Sequence, residues 1–227
     1  MMLTVYIALS NLSTMHSKVT SPPLGEPARP FLLLGNHPAL DFLNTAPVEH
    51  GQPAERLTDY AALVAWADQV GLVAPDDAAR ARERWGASPA GAGVVARARA
   101  LRSLWREVVE RVAGGGAPTA ALLARLNAAL REEAGAYTEV RGTNAGFERR
   151  TKLKLDAPGE LLTPLLRAMG ALLTDVDLAL VRKCESAACV LFFYDVSKNH
   201  ARRWCSMENC GNRHKVNAYR ARGGRVS

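Results

Sequence analysis

Four cysteines close to the C-terminus are spaced like the ligands of a metal ion. They are the only cysteines among the 227 residues, and they form two pairs, Cys184-x4-Cys189 and Cys205-x4-Cys210. Four thiolates at this spacing can surround one Zn2+ ion, which accepts a tetrahedral shell of sulfur ligands. His200 and His214 are alternative ligands, but the four cysteines already complete the shell. The pattern therefore predicts a four-cysteine site with Zn2+ as its cofactor.

Two disulfides are the alternative chemistry for these cysteines, and they would require an oxidising compartment. The first 17 residues contain no Asp, Glu, Lys or Arg, so the positive start of a signal peptide is missing. The apolar patch over residues 3–9 is too short to span a bilayer, and no later stretch has about 18 uninterrupted apolar residues. We therefore expect a cytoplasmic protein with no membrane contact, and metal in preference to disulfides.

The net charge of the chain is concentrated on the segment that carries the cysteines. Residues 182–227 contain 10 Lys and Arg and 3 Asp and Glu, a balance of +7, whereas the other 181 residues carry 19 of each sign. A small basic module on a neutral body is typical of a nucleic-acid contact. We expect DNA as the partner, and RNA, an acidic protein or a merely solvated surface are the alternatives.

A basic helix is predicted after the second cysteine pair. Ser206 can cap it, and Cys210 would bind metal from its first turn. On a helical wheel Asn212, Val216 and Tyr219 form a narrow stripe with basic residues on both sides, and we expect the stripe to dock on the module. Arg182, Lys183, Arg202 and Arg203 can offset the charge of the thiolates, and Arg203, next to Trp204, is the first choice for this role. The candidate nucleic-acid contacts are Arg202, Arg203, Arg213, Lys215, Arg220 and Arg222.

The elements that must position the cysteines are a short hairpin and this helix. Residues 190–194 (VLFFY) resemble a strand, residues 195–199 a turn, and residues 200–204 a returning strand. Phe192, Phe193 and Trp204 are expected to form a small core under the metal. The predicted module is treble-clef or ribbon-like.

The rest of the chain predicts an α+β fold, a mostly helical body with a small antiparallel sheet. Residues 1–29 are expected to be a flexible leader, with Met15 as an alternative start, residues 30–181 the helical body, and residues 182–227 the zinc module. Apolar residues at helical spacing and turn residues place the elements. Helices are expected over residues 38–45, 60–70, 94–112 and 160–181, and two more are expected to begin after Pro75 and at Pro118. Thr58 is the expected N-cap of the helix over 60–70. Strands are expected over residues 31–34, 137–140 and 147–155, with a turn at 141–144 between the last two.

Asp41 and Asn44 are three residues apart on the first predicted helix and are candidates for lining a small-molecule pocket. Helix capping and buried hydrogen bonding are the alternative, and the commoner role for such residues. The sequence contains no P-loop, no dinucleotide fingerprint and no nucleophile elbow. We therefore expect a protein without enzymatic activity.

Two stretches resemble known families. Residues 203–215 (RWCSMENCGNRHK) resemble the signature of the CGNR zinc-finger family, named after Cys210-Gly211-Asn212-Arg213, and residues 193–197 and 199–204 fit the same pattern. Residues 40–45 (LDFLNT) resemble the opening motif of the ABATE domain, with Tyr60, Trp66 and Gly71-Leu72 following at suitable distances.

These resemblances imply a stress-induced transcription regulator whose finger binds zinc and DNA. Its body would sense a small ligand or form a homodimer. They also imply that Gly211 allows close packing and that Asn212 organises the knuckle by a local hydrogen bond. The alternatives are an RNA- or protein-interaction module in which zinc is structural, and a thiol redox switch that releases zinc on oxidation.

Overall fold

The computed structural model describes residues 31–49, 51–131, 136–143 and 146–221, and for residues 136–143 and 146–152 it describes the backbone. The predicted leader, residues 1–29, and Arg222 therefore lie outside the described residues. The helices are α1 (Pro38–Leu43), α2 (Tyr60–Gln69), α3 (Pro75–Trp85), α4 (Pro89–Ala113), α5 (Ala120–Leu130), α6 (Thr163–Thr174) and α7 (Asn212–Ala221). The strands are β1 (Val48–Glu49), β2 (Gln52–Pro53), β3 (Ala136–Thr143), β4 (Gly146–Leu153), β5 (Val181–Lys183) and β6 (Phe192–Tyr194).

The long helix α4 is the central element of the body. Ser88 caps it by accepting a hydrogen bond from the Gly91 N–H, and Pro89 occupies its first position, where no hydrogen bond is lost. The helix ends at Ala113, and Gly115, two residues beyond, has a φ of +77°, a left-handed conformation that favours glycine. Trp105, fully buried on α4, donates from Nε1 to the Ala39 carbonyl at 2.8 Å and so fixes α1 against α4.

Helices α2, α3, α5 and α6 surround α4 and complete one hydrophobic core. Phe42 of α1 contacts Trp66 of α2 with ring centroids 5.2 Å apart. This body core also contains Val181 of β5 and Phe192 of β6. Strand β5 precedes the first cysteine pair and β6 follows it, so the short sheet that these two strands form is packed on the body.

The described strands form three two-stranded antiparallel sheets, β1–β2, β3–β4 and β5–β6. In β3–β4 the register runs from Ala136 opposite Leu153 to Thr143 opposite Gly146. Residues 141–143, predicted as part of a turn, thus belong to β3, and residues 144–145 lie outside the described residues. The fold class is confirmed: a mostly helical chain with small antiparallel sheets.

Several predicted element boundaries were wrong. Residues 31–34 are not a strand. The helix predicted over 160–181 is interrupted: a 3-10 turn over Pro158–Leu162 precedes α6, another over Leu178–Leu180 follows it, and β5 begins at Val181. The second 3-10 turn forms because the Asp177 side chain accepts a hydrogen bond from the Ala179 N–H, a local alternative to the helix. The N-cap of α2 is Asp59, not Thr58.

Within the described residues, no helix combines the length and the apolar composition that crossing a membrane requires.

Candidate metal centre and basic helix

Backbone hydrogen bonds bring the first cysteine pair next to Cys205. Cys184 directly follows β5, and its N–H donates to the Leu191 carbonyl at 3.0 Å. Between Cys184 and Cys189 the chain forms a turn, in which the Cys189 N–H donates to the Ser186 carbonyl at 2.8 Å. From the other pair, the Cys205 N–H donates to the Cys184 Sγ at 3.3 Å. A backbone N–H directed at sulfur is a typical way to stabilise thiolate charge.

Cys210 is delivered by a capped helical turn that leads directly into α7. The Ser206 hydroxyl accepts a hydrogen bond from the Asn209 N–H, which confirms Ser206 as the predicted cap. A π-helical turn, Met207–Gly211, carries Cys210 and continues as α7. A Cβ on Gly211 would lie 2.9 Å from the Met207 Sδ and 3.2 Å from Trp204, so only glycine fits without movement of its neighbours.

The four sulfurs form a cluster of the size that a tetrahedral metal ion requires. All four Sγ atoms lie within 4.8 Å of one another, with Cys189–Cys205 at 3.7 Å and Cys205–Cys210 at 3.6 Å. Zinc–sulfur bonds of about 2.3 Å in a tetrahedron place the sulfurs about 3.8 Å apart. A disulfide would bring two sulfurs to about 2.05 Å, and all four cysteines are free. The cluster is therefore a metal site.

The protonation of the thiols shows why this cluster needs a cation. Hydrogen bonds from Cys189 and Cys205 lower the pKa of the Cys184 thiol to about 2. The same hydrogen bonds, with Cys184 as the acceptor, raise the pKa of Cys189 to about 12 and also raise the pKa of Cys205. One thiolate therefore disfavours the next, and four of them require a positive ion at their centre.

Arg202 is the cation that lies beside the thiolates, and the expectation that Arg203 has this role was wrong. The Arg202 guanidinium donates to the Trp204 carbonyl at 2.9 Å, to the Leu34 carbonyl at 3.1 Å and to the Cys205 carbonyl. It also stacks on Phe193 at 4.2 Å. Burial lowers the pKa of Arg202, whereas the charges of Cys205, Asp195 and Cys184 favour its charged form. Because these groups occupy its donors, we remove Arg202 from the candidate nucleic-acid contacts.

Arg203 instead pairs with an acidic residue on the surface. Its Nε lies 2.6 Å from Glu185 Oε2, and its guanidinium lies over the Trp204 ring at 5.0 Å. The side chain is 57% exposed, so this cation remains accessible at the edge of the module.

Helix α7 presents its stripe to solvent, which differs from the predicted docking. No residue of α7 is buried, and Val216 and Tyr219 are 43% and 50% exposed. The contact with the module is made from the opposite side, where His214 stacks on Trp204 with ring centroids 4.7 Å apart. We call Asn212, Val216 and Tyr219 the outer stripe.

The residues beside the outer stripe are cations without acidic partners. Arg213, Lys215 and Arg220 are exposed, and none of them forms an ion pair within the part of the chain that the structure describes. The Asn212 side chain likewise has no hydrogen-bond partner among the described residues. The local hydrogen bonds expected of Asn212 are made by its backbone N–H, which donates to the Asn209 and Met207 carbonyls in the turn that carries Cys210.

The returning strand of the module also differs from the prediction. Strand β6 pairs with β5, from Val181 opposite Tyr194 to Lys183 opposite Phe192, and residues 200–204 form an extended loop. The loop is held by Asp195, which is fully buried. Its Oδ1 accepts hydrogen bonds from the Ser197 N–H at 3.0 Å and the Ser197 hydroxyl at 2.5 Å, and its Oδ2 accepts one from the Arg202 N–H at 2.9 Å.

The small core beneath the cysteine cluster contains Leu191 in place of the predicted Phe192. Phe193 and Trp204 pack with Cys184, Cys205 and Cys210, whereas Phe192 belongs to the body core. The alternation of a strand explains the difference, because neighbouring side chains point to opposite faces.

Two family models match this architecture. The ABATE model, described as "Putative stress-induced transcription regulator", matches residues 36–176, which is more than half of the chain. The chain belongs to the ABATE family. A second model, the CGNR zinc finger, matches residues 181–223. A search of curated proteins found no match. The matched families and the cysteine cluster together support a zinc-binding regulator.

The LDFLNT motif of this ABATE protein connects the body to the finger. The Asn44 side chain is buried and bonds to the backbone of Phe192. Asp41 accepts a hydrogen bond from the Gly35 N–H at 2.7 Å, and the Gly35 carbonyl accepts one from the Tyr194 N–H at 2.8 Å. A Cβ on Gly35 would lie 2.8 Å from the Asp41 backbone nitrogen, so this approach requires glycine.

These contacts give Asp41 and Asn44 internal partners, and the small-molecule pocket proposed for them stays a prediction. Neither residue lines the two cavities described on the ABATE body. One of these, a cleft of about 210 Å³, is lined by residues of the α2–α3 turn, α3, β4 and α6, including Asp77, Thr163 and Arg167. It is smaller than the roughly 300–1,000 Å³ of most ligand pockets.

Sequence reasoning missed two residues that hold the finger on the ABATE body. Arg106 of α4 donates to the Val190 carbonyl and to the Leu43 carbonyl, both at 3.1 Å, and lies over the Phe192 ring at 5.6 Å. Asp195 organises the loop described above. An Asp two residues before a Ser is a local turn signal that could have indicated the role of Asp195. Nothing local in the sequence distinguishes Arg106 from the other arginines of α4.

Proposed function

We propose that this protein is a transcription regulator that binds duplex DNA through α7 of a zinc-loaded finger. The observation that carries the proposal is the outer stripe of α7, which faces solvent and is flanked by cations that form no ion pair with any described residue. A solvated surface helix needs no such apolar stripe on its exposed side. In the major groove, where base edges lie between two walls of phosphate, such a stripe can contact base edges and thymine methyl groups while the flanking cations meet the phosphates.

The size and charge of α7 support duplex DNA as the partner. An α-helix with its side chains is about 10–12 Å across, and the major groove is about 12 Å wide. Arg213 and Arg220 lie on one side of the outer stripe and Lys215 on the other, so both walls of phosphate would meet a cation. Arg203 would reach the DNA backbone from the module. Arg222, which lies outside the described residues, is placed beside Lys215 by the helical wheel of the sequence alone and stays a predicted contact.

Zinc has a structural role in this proposal. The ion would be held by Cys184, Cys189, Cys205 and Cys210, with Arg202 offsetting the charge of the thiolates. Since Cys210 immediately precedes α7, the metal fixes the start of the helix and thereby its direction. The reducing cytoplasm would keep these sulfurs available for the metal.

The ABATE body would supply the regulatory input, either by binding a small ligand or by forming a homodimer. A second copy would also double the small contact area of a single finger, and specific sites bury about 1,000 Å² or more of protein surface. The body contributes no catalytic step to the proposed function.

The test is binding of the zinc-loaded, full-length protein to a duplex over a range of salt concentrations. If about 4–6 phosphates are neutralised, log K should fall with log[salt] at a slope of about −4 to −5. The double variant Arg213→Ala, Arg220→Ala should weaken binding and flatten the slope by about 2. The matched control is a second double variant, Arg111→Ala with Arg131→Ala. It removes two exposed arginines from the body and should leave the slope unchanged.

Two outcomes would contradict the proposal. An unchanged slope in the α7 double variant would exclude this helix from the contact, and tighter binding to single-stranded RNA than to duplex would favour an RNA module. The redox alternative has its own test. If mild peroxide leaves both the zinc content and the binding intact, the thiols are not a switch.

A further inference from the structure

The outer stripe of α7 has the residue types of a base-reading surface. We propose that Asn212 and Val216 read base edges in the major groove and give the finger a preference for A·T pairs. This inference rests on the proposed DNA-binding function and names the class of sequence that α7 would recognise.

The placement of the cations sets which part of α7 can reach the bases. At about 100° per residue, Arg213 and Arg220 lie about 80–100° to one side of Asn212, and Lys215 lies about 60° to the other. Long cationic side chains in these positions reach outward to the two phosphate walls. The outer stripe between them then faces the floor of the groove, where base edges are exposed.

The Asn212 amide is free to bond to a base. It is exposed at the start of α7 and has no side-chain partner within the described residues. The side-chain amide of Asn can donate one hydrogen bond and accept another at the same time. Adenine presents the matching groups on its major-groove edge, N7 as the acceptor and the N6 amino group as the donor. Guanine presents two acceptors on the same edge and is read by Arg or Lys, neither of which lies on the outer stripe.

Val216 adds an apolar contact one turn further along the same face. It follows Asn212 by four residues, about 6 Å along the helix axis, and is 43% exposed. The thymine C5-methyl group is the only apolar feature of the four bases in the major groove, and an aliphatic side chain is its natural partner. Tyr219, 50% exposed, extends this apolar surface by another turn.

Four short duplexes of equal length separate these contributions, each titrated with zinc-loaded, full-length protein at one salt concentration. All four are DNA. Two consist of alternating A·T pairs, one with thymine and one with uracil, which lacks the methyl group. The other two consist of alternating G·C pairs, one with cytosine and one with 5-methylcytosine, which carries a methyl group. We expect A·T to bind about tenfold tighter than G·C. We expect A·T to bind about fourfold tighter than A·U, because each methyl contact buries apolar surface.

Variants assign each preference to a residue. Asn212→Ala should remove most of the difference between A·T and G·C, and Val216→Ala should remove the difference between A·T and A·U. Neither should change the salt slope, because neither residue contacts phosphate. Arg213→Ala should weaken binding to all four duplexes by a similar factor and leave their ratios unchanged.

The outcomes distinguish this inference from the proposed function. Equal affinity for all four duplexes, with a steep salt slope, overturns the A·T preference and leaves DNA binding intact. Absence of binding to every duplex overturns both. Zinc content and thermal unfolding of each variant show that a lost preference comes from the altered surface and not from a misfolded finger.

Discussion

The side-chain amide of Asn44 pairs with the backbone of Phe192 as a neighbouring strand would. Its Nδ2 donates to the Phe192 carbonyl at 2.9 Å, and the Phe192 N–H donates to its Oδ1 at 3.0 Å, across 148 residues of sequence. Phe192 lies on β6, and the next residue on that strand, Phe193, packs under the cysteine cluster. The body and the metal site are thus joined through one short strand.

Replacing Asn44 should destabilise this joint. Asn44→Ala leaves the N–H and the carbonyl of Phe192 buried without partners, and each unpaired group costs about 1–3 kcal/mol. We expect a loss of about 2–4 kcal/mol in the free energy of unfolding, measured by urea denaturation. The control Asn127→Ala, on the exposed side of α5, should change it by about 0.5 kcal/mol or less. Equal stability of the two variants would show that the pairing does not hold the finger.

Removing one ligand should release the metal. Cys205 lies centrally in the cluster, with its Sγ 3.7 Å from Cys189 and 3.6 Å from Cys210. Cys205→Ser should lose zinc to a chelator that leaves the unmodified protein loaded, as measured by elemental analysis. The control Ala187→Ser introduces the same hydroxyl in the exposed turn between Cys184 and Cys189 and should retain zinc. Full retention by Cys205→Ser would exclude Cys205 from the ligand set.

The stacking of His214 on Trp204 should set the direction of α7. An aromatic pair is worth about 0.5–1.5 kcal/mol, and His214 makes the contact opposite the outer stripe. His214→Ala should therefore weaken duplex binding by about 3–10-fold at unchanged zinc content. Asn217→Ala, exposed on the same helix, is the control and should bind as the unmodified protein does. A loss of zinc in His214→Ala would instead point to a role in metal binding.

The buried N-cap His37 should make stability depend on pH. Its Nδ1 accepts a hydrogen bond from the Ala39 N–H at 3.2 Å, and burial lowers its pKa from 6.5 to about 4. Between these values the unfolded chain binds a proton that the folded chain does not, so the stabilisation by His37 is complete above pH 6.5 and is lost as the pH falls towards 4.

The variant His37→Asn isolates this effect, because Asn also accepts the capping hydrogen bond but does not titrate. The free energy of unfolding of the unmodified protein minus that of the variant should rise from pH 4 to pH 6.5 and then stay constant. Taking the difference removes the contribution of Asp41, whose pKa burial raises to about 7 and which acts in the opposite direction. A difference that does not change with pH would show that the pKa of His37 is the same in the folded and unfolded states.

The sequence by itself determined the features that depend on near neighbours. Two cysteine pairs with equal gaps determined a four-sulfur site, because ligand spacing within a pair is set by a few residues of chain. Ser206 as a cap, Pro75 at the start of α3 and Gly71 just after α2 determined where these helices begin and end. The segregation of charge onto residues 182–227 was equally direct.

Tertiary structure decided the features that depend on distant partners. The outer stripe was predicted to dock, yet Trp204 is taken by His214, and the stripe is left facing solvent. Arg202 and Arg203 are adjacent in sequence, but the loop held by Asp195 turns one towards the thiolates and the other towards Glu185. Periodicity tells which side chains share a face of an element. Which face meets another element is decided by packing across the whole chain, as Asn44 and Phe192 show.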